Sequence, residues 1–325
     1  MANFPTISIC IPAYNRPNWL KRALLSITTN NNDFCQKIEI IVSDDSTDIN
    51  CEKIAQEILK NWQGKSKYIQ NKPSLGMAEN WNNAAKLATG KYILILHDDD
   101  FLLPNALKNI IKIIEEKKKK NYILLGGVNV VNETETIIKK QTFKTIEYLD
   151  KKTALIKLLS NSSFVRFPAI IIDRKVFEEV GYFDPQFKEP ADLEMWIRIF
   201  SKYGVLCLPF TTCAYTVHSE ALTMGLFNEN TINILLKLFE KVASLNIFSQ
   251  LELKKYKAKF FHQFILGGAF RKLKRKQLNE FHQIMKLFNL VNIKKLNIPL
   301  KWFLIRFCFE IINIVTIILM KYKIK

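Results

Sequence analysis

Four short apolar runs, each followed by a polar loop and then by apolar residues at helical spacing, constrain this chain more than any other feature. Ile7 to Ile11 gives way to Pro12-Ala13-Tyr14-Asn15-Arg16-Pro17, after which Leu20, Ala23, Leu24 and Ile27 recur as one helical face. Ile38 to Val42 ends at Ser43-Asp44-Asp45-Ser46-Thr47-Asp48, with Ile54, Ile58 and Leu59 marking the next helix. Tyr68 and Ile69 form a third run before Asn71 to Gly76. Met77 to Leu87 then reads as a helix broken by Gly90, and Tyr92 to Leu96 is the fourth run. This β-α-β-α-β-α-β order predicts an α/β protein built on a Rossmann-like, mostly parallel sheet flanked by helices. In such sheets ligands sit beyond the carboxyl ends of the strands. Three loops distant in sequence, at Tyr14, at Asp44 and Asp45, and after Leu96, should therefore converge on one crevice.

The fourth run stops at His97 and three consecutive carboxylates, Asp98, Asp99 and Asp100. Like charges so close raise one another's pKa and repel, so a positive partner is expected among them. A divalent cation suits the chemistry, because carboxylate oxygens are hard ligands for magnesium or manganese, which fill their shells with water and substrate phosphates. The alternative is that these acids solvate a loop and cap a helix begun by Pro104. Asp44 and Asp45, taken singly, could equally form an Asx-turn or a cap.

The 325 residues can bury one large α/β domain with an appendage. Six cysteines without a Cys-x-x-Cys pair, and an opening without a secretory signal, lead us to expect a reduced, cytoplasmic protein with no zinc site. The net charge of +18 is uneven. From Leu226 onward five glutamates face roughly four times as many Lys and Arg, a balance suited to a polyanionic surface, either nucleic acid or an anionic bilayer.

At this point the motifs resemble, in order, those of family 2 glycosyltransferases, inverting sugar-nucleotide enzymes of the A-type glycosyltransferase fold. The likeness covers residues 5 to about 220. Pro12-Ala13-Tyr14-Asn15-Arg16 is similar to the family's first nucleotide loop, and Val42-Ser43-Asp44-Asp45-Ser46-Thr47 to its second, where the resemblance implies that Asp45 accepts a hydrogen bond from the base, as uracil would offer. Gly76 to Asn82 resembles a nucleotide-contacting helix start and implies a role for Asn80. His97-Asp98-Asp99-Asp100 stands at the metal motif, departing from it at His97, where many members carry an acid. The resemblance implies Asp99 as the principal ligand of Mn2+ or Mg2+, with Asp98 on the ribose or the ion and Asp100 either ligand or cap. Val180-Gly181-Tyr182-Phe183-Asp184 resembles the segment ahead of the catalytic carboxylate. Glu189-Pro190-Ala191-Asp192-Leu193-Glu194-Met195-Trp196-Ile197-Arg198 resembles the catalytic helix, implying Asp192 as the base that takes a proton from the acceptor hydroxyl. Because Ala191 replaces the customary Glu, Glu189 and Glu194 stay open as alternative bases, and Asp192 could instead be a helix N-cap. Trp196 reads as core packing. His218 stands where the family supplies a late histidine to the metal or diphosphate.

The implied architecture is a catalytic domain over 1–225, with a nucleotide-sugar half over about 1–104 and an acceptor half over about 105–225, followed by a basic, amphipathic, α-helical extension over 226–325. In that extension Arg271, Lys272, Lys274, Arg275 and Lys276 form a cationic patch. Pro299 to Met320 is apolar except for a stripe of Arg306, Glu310 and Asn313 on one side, which favours a helix lying in a membrane interface over one that packs in a soluble protein or dimer, and over one spanning the bilayer. The expected activity is metal-dependent, inverting transfer from a nucleotide sugar, a UDP-sugar first, to a hydroxyl of a glycan or lipid-linked acceptor in cell-surface polysaccharide, lipooligosaccharide or glycoprotein glycan synthesis. The expected place is the cytoplasmic face of the membrane. Two other readings compete: a nucleic-acid-binding protein using the basic tail, which leaves the acidic crevice unexplained, and a sugar-phosphate nucleotidyltransferase, which lacks its glycine-rich phosphate loop.

Overall fold

The computed structural model describes residues 4–29, 31–116, 123–218, 225–297 and 300–322, in two compact units. The first comprises residues up to 154 together with 165–221, and the second 155–164 together with 222–325. The short segment 155–164 thus groups with the C-terminal residues rather than with its neighbours in sequence.

The first unit opens with the alternation that the apolar runs predict: β1 (Ile7–Ala13), α1 (Pro17–Thr28), β2 (Ile38–Asp44), α2 (Asn50–Leu59), β3 (Lys65–Gln70), α3 (Met77–Leu87) and β4 (Tyr92–Ile95). It continues with β5 (Phe101–Leu102), α4 (Ala106–Glu116), β6 (Ile123–Asn132), β7 (Ile137–Gln141) and β8 (Glu147–Leu149). Helix α5 (Lys151–Ser160) is shared between the units, and β9 (Ile170–Asp173), α6 (Arg174–Val180), α7 (Ala191–Lys202) and β10 (Val205–Val217) complete the first. The sheet order is β3-β2-β1-β4-β9-β6-β10-β5, with β7 beside β6 and β8 beside β10. The lysine run 117–120, expected as a solvated helix end, lies outside the described residues.

β1 to β4 pair in parallel, as crossover helices require. The sheet as a whole is mixed, because β9 is antiparallel to both β4 and β6, and β5, β7 and β8 are antiparallel to their neighbours. The direction of β9 decides which residues reach the carboxyl edge of the parallel strands. Ile171 pairs with Leu94 and Asp173 with Tyr92, so the residues just before β9 arrive at that edge, beside the end of β4. β1, β2 and the start of β4 are tied together by a buried polar network at the opposite edge. The Ser8 hydroxyl donates to Glu39 (2.5 Å), the Thr89 N–H donates to the same carboxylate (2.7 Å), and the Gly90 N–H donates to the Ser8 oxygen (2.8 Å). A Cβ on Gly90 would stand 2.7 Å from the Ser8 backbone nitrogen, so only glycine lets the chain pass.

The second unit is helical from residue 226 on among the described residues: α8 (Glu229–Ser244), α9 (Gln250–Lys274), α10 (Leu278–Lys286), the single-turn α11 (Val291–Lys294) and α12 (Leu300–Tyr322). Ser249 and Glu252 form a reciprocal capping box at the start of α9. α12 differs from the amphipathic expectation in which way it faces. Its polar stripe is turned onto its own unit: Arg306 lies over the Phe288 ring (4.3 Å) and pairs with Glu310 (2.7 Å), while Asn313 meets His282 (2.5 Å). Phe303, Leu304, Phe307, Ile314 and Leu319 are left exposed. The physical reason is that Arg306, Glu310 and Asn313 find partners among α10, α12 itself and Phe288, whereas an apolar rod has no such demand.

Candidate active site

Three loops meet at the carboxyl edge, laced by backbone donors and short polar side chains. The Asp45 N–H donates to the Ala13 carbonyl (3.0 Å), and the Leu96 N–H to that of Cys10 (2.9 Å). Tyr14 N–H donates to Asp98 Oδ2 (3.0 Å), and Asn15, in the left-handed region at φ 52°, donates to Ser46 Oγ (2.7 Å) while its side-chain oxygen accepts from Thr47 (2.9 Å). Arg16, at the mouth of α1, places its guanidinium 2.9 Å from Asp99 Oδ2 and 3.6 Å from Asp98 Oδ1. Pro12 and Ala13 end β1 in the core beneath the loop, and the Tyr14 side chain stands 54% exposed above it.

Asp45 and Asn80 are both buried and already engaged. Asp45 accepts from Asn71 (2.7 Å), Ser74 (3.1 Å) and the N–H groups of Leu75 (3.1 Å) and Gly76 (2.8 Å), which fold the 71–76 loop over it. Asn80 donates to the Ala13 carbonyl (3.2 Å) and accepts from Asn71 (3.1 Å). A base reaching Asp45 must therefore share an oxygen with this loop. Asp44 is held by the Tyr68 hydroxyl (2.5 Å) and by Ser46 N–H (2.8 Å).

The three acids after β4 do not behave alike. Burial, and then the charge of Asp99, push Asp98 up to about 7. Asp100 is raised well above its ordinary value by burial and by Asp99. It takes the Thr216 N–H on Oδ1 (2.8 Å), while its buried Oδ2 has no hydrogen-bond partner among the described residues. Asp99 is the ionised member. Burial would raise it, but the hydrogen bond with His218 and the charge of Arg16 outweigh that effect and hold it below the usual carboxylate range. His218 Nε2 lies 2.9 Å from Asp99 Oδ2 and packs on the Trp19 ring at 5.1 Å.

His97, the departure from the family motif, is turned inward. Burial lowers its pKa, it packs against Phe167 (4.3 Å) and Trp81 (5.3 Å), and its buried Nε2 has no hydrogen-bond partner among the described residues. Ligand atoms of His97, Asp99 and Asp100 lie within 4.8 Å of one another. A neutral imidazole with a free nitrogen, an ionised carboxylate and a carboxylate with an orphaned oxygen form a donor set that fits a divalent cation. The cluster differs from the residues read from sequence in including His97, whereas His218 reaches the same position through Asp99.

α7 is delivered to this edge by two side-chain clamps. Asn82 exchanges a reciprocal pair of hydrogen bonds with the Phe183 backbone, accepting at 2.9 Å and donating at 2.8 Å. Glu194, fully buried, holds Arg198 in a fork (2.8 Å), and Arg198 in turn donates to the carbonyls of Val180 and Tyr182. Glu194 is thus committed to the framework, and Glu189 stands exposed on the surface. Pro190, not Asp192, occupies the N-cap position. Asp192, in the first turn, accepts from the Leu193 N–H (2.6 Å). Burial pushes it up to about 6 against the pull of the Leu193 N–H, its own N–H and the charge of Arg166. Trp196 is buried, edge-on to Phe167 (5.4 Å) and Phe183 (5.8 Å), as core packing. Through Phe167 this aromatic cluster joins α7 to His97.

Arg22, Arg166 and Tyr215 belong to the site but escaped the sequence reading. Arg22 donates to the Asp99 carbonyl and to Thr216 Oγ1 (2.8 Å), with its guanidinium 4.4 Å from Trp19 and 4.6 Å from Phe101. It lies on a helix face that reads as solvated, and only the spacing Trp19 to Arg22 hinted otherwise.

A sequence model described as Glycosyl transferase family 2 matches residues 8–181. Among curated proteins, a glycosyltransferase of Methanocaldococcus jannaschii is 31% identical over 199 residues, 60% of this chain and 64% of that one. A protein of Campylobacter jejuni named GalNAc(5)-diNAcBac-PP-undecaprenol beta-1,3-glucosyltransferase is 26% identical over 201 residues, 61% of this chain and 60% of that one. The chain thus spans less than two thirds of the length of either. Among solved structures, S. aureus TarS 1-349 in complex with UDP-GlcNAc is similar in fold, with a TM-score of 0.60 and 18% identity over 86% of this chain and 81% of that one.

The clamp on α7 has a measurable consequence. Removing one partner of a buried ion pair strands the other, so Glu194→Ala is expected to lower unfolding stability in urea by on the order of 3 kcal/mol. Glu189→Gln, at an exposed position, should change it by less than about 0.5 kcal/mol.

Proposed function

We propose that this chain, which belongs to glycosyl transferase family 2, is a metal-dependent, inverting enzyme moving a sugar from a UDP-sugar to a hydroxyl of a lipid-linked or glycan acceptor. The observation that carries the reading is the meeting, at one sheet edge, of the His97, Asp99 and Asp100 cluster with a half-buried Asp192 raised to about 6.

In this reading the nucleotide lies across the loop from Pro12 to Arg16, with Tyr14 at its opening and Asp45 and Asn80 beneath. Asp98 stands toward the ribose. Mn2+ or Mg2+ would be held by Asp99 and Asp100 with His97, His218 acting through Asp99, and when bound supplies neutralisation of the charge that grows on the departing diphosphate. Arg16 adds a fixed positive charge at the same place. Asp192 accepts the proton of the acceptor hydroxyl as that oxygen attacks the anomeric carbon from the face opposite the nucleotide. The glycosidic bond to the diphosphate breaks, UDP leaves with the bonding pair, and the anomeric configuration inverts.

Asp192 must be ionised to act as a base. Turnover per encounter, kcat/KM, is therefore expected to fall as the pH is lowered through about 6 and the carboxyl takes up its proton. Asp192→Asn should lose about a hundredfold or more in kcat with that acidic limb removed. A retained limb or unchanged kcat in the variant would assign the base elsewhere.

The donor class is tested by thermal stabilisation with UDP-, GDP-, CMP- and TDP-sugars, with and without manganese. A UDP-sugar is expected to raise Tm only with metal, and Asp99→Asn to lose the shift. Stabilisation that ignores metal would remove metal dependence from the reading.

The outer face of α12 supports the membrane part. Leu300–Leu319 is long and apolar enough to cross a bilayer, none of it is buried, and its polar stripe is already partnered, so the exposed apolar side suits insertion flat into a leaflet. Arg271, Lys272, Lys274, Arg275 and Lys276 supply attraction to anionic lipid, in keeping with a place at the cytoplasmic face. The protein is expected to float with phosphatidylglycerol-rich vesicles, and the double substitution Phe303→Asp, Phe307→Asp to remain unbound. Equal flotation of both proteins would remove α12 as the anchor.

A further inference from the structure

The clearest unused charge in the catalytic unit is Arg166. It precedes β9, and because β9 runs antiparallel to β4 the chain there enters at the carboxyl edge, one residue before the Phe167 that packs on His97. Its guanidinium lies 4.7 Å from the centre of the Tyr215 ring, its Nε is buried without a hydrogen-bond partner, and among the described residues its side chain makes no ion pair. The other arginines of the site differ in this respect. Arg16 answers Asp98 and Asp99, and Arg22 is spent on the Asp99 carbonyl and Thr216. Arg166 is the cation whose charge is felt at Asp192 and at the Tyr215 hydroxyl. A half-buried guanidinium above an aromatic ring, with no acid at ion-pair distance among the described residues, gains from an anion that arrives to complete it.

We propose that Arg166, seated on Tyr215, is a specificity residue that binds the diphosphate group of a lipid-linked acceptor and so presents the acceptor hydroxyl to Asp192. This rests on the assignment of Asp192 as the acceptor-side base. The guanidinium fork matches phosphate oxygens in two-point hydrogen bonding, and the ring of Tyr215 fixes its plane. The donor's own diphosphate has Arg16 and the acid cluster to meet it. A second cation on the Asp192 side therefore calls for a second anion, carried by the other substrate. An acceptor lacking that anion would leave Arg166 unpaired in the closed complex and bind less well.

The test holds the donor site filled with UDP and manganese and titrates geranyl diphosphate, geraniol and inorganic pyrophosphate into the full chain by calorimetry. Wild type is expected to bind geranyl diphosphate. Arg166→Ala should weaken that binding about tenfold or more, with Arg166→Lys between the two, while UDP affinity and geraniol binding move by less than about twofold. Equal binding of geranyl diphosphate by wild type and Arg166→Ala, or a parallel loss of UDP affinity, overturns the proposal. Pyrophosphate binding as tightly as geranyl diphosphate overturns the lipid-linked part, assigning the charge to free diphosphate. Asp192→Asn separates the two readings. It should keep both ligands yet lower kcat about a hundredfold or more, and transfer at the wild-type rate in it removes the base assignment and, with it, the acceptor-side placement of Arg166.

Discussion

Three consecutive carboxylates buried at the edge of a sheet are the constraint on which the catalytic unit depends. Asp98, Asp99 and Asp100 cannot all be charged in that space, and the fold resolves the conflict by making them unequal. Arg16 and His218 keep Asp99 ionised, whereas Asp98 and Asp100 are pushed toward their protonated forms. The compensating groups come from the mouth of α1, from the end of β10 and from the Tyr14 and Thr216 N–H groups. The positions of the first loop and of β10's end are thereby tied to the acids.

A second layer of order is aromatic. Trp81, His97, Phe167, Phe183 and Trp196 pack on one another, so the helix carrying Asp192 is registered against the acid cluster by rigid rings rather than by a mobile loop. The reciprocal bonds from Asn82 and the Glu194–Arg198 fork fix the approach to that helix. Their effect is to make Glu194 a structural anion and to leave Asp192 as the carboxylate of the segment that is raised and half-buried, the condition a general base needs. The histidine in place of an acid at position 97 has a physical sense in this setting. Packed between rings, with burial lowering its pKa, it fills the position without adding a fourth acid to the cluster.

Much of this was legible in the chain. The four strands, their crossover helices and the convergence of three loops came from hydrophobic periodicity, and the roles expected of the acids came from motif order. What escaped was of another kind. Four apolar residues such as those of β9 read alike in either direction, so nothing local announced that this strand runs antiparallel and brings Arg166 and Phe167 to the edge. The stripe of Arg306, Glu310 and Asn313 on α12 was visible, but a stripe alone does not say whether it meets water or protein. Its partners, His282 on α10 and the ring of Phe288, lie far along the chain.

The sequence by itself determined that this is an α/β protein with acids at strand ends and a basic helical extension, because side-chain periodicity and charge are local properties that survive without a partner. The tertiary structure decided which carboxylate stays charged, which glutamate is framework, how His97 points and that Arg166, seated over Tyr215, makes no ion pair among the described residues. Those outcomes depend on desolvation and on contacts between residues tens of positions apart, and both exist only once the strands are ordered side by side.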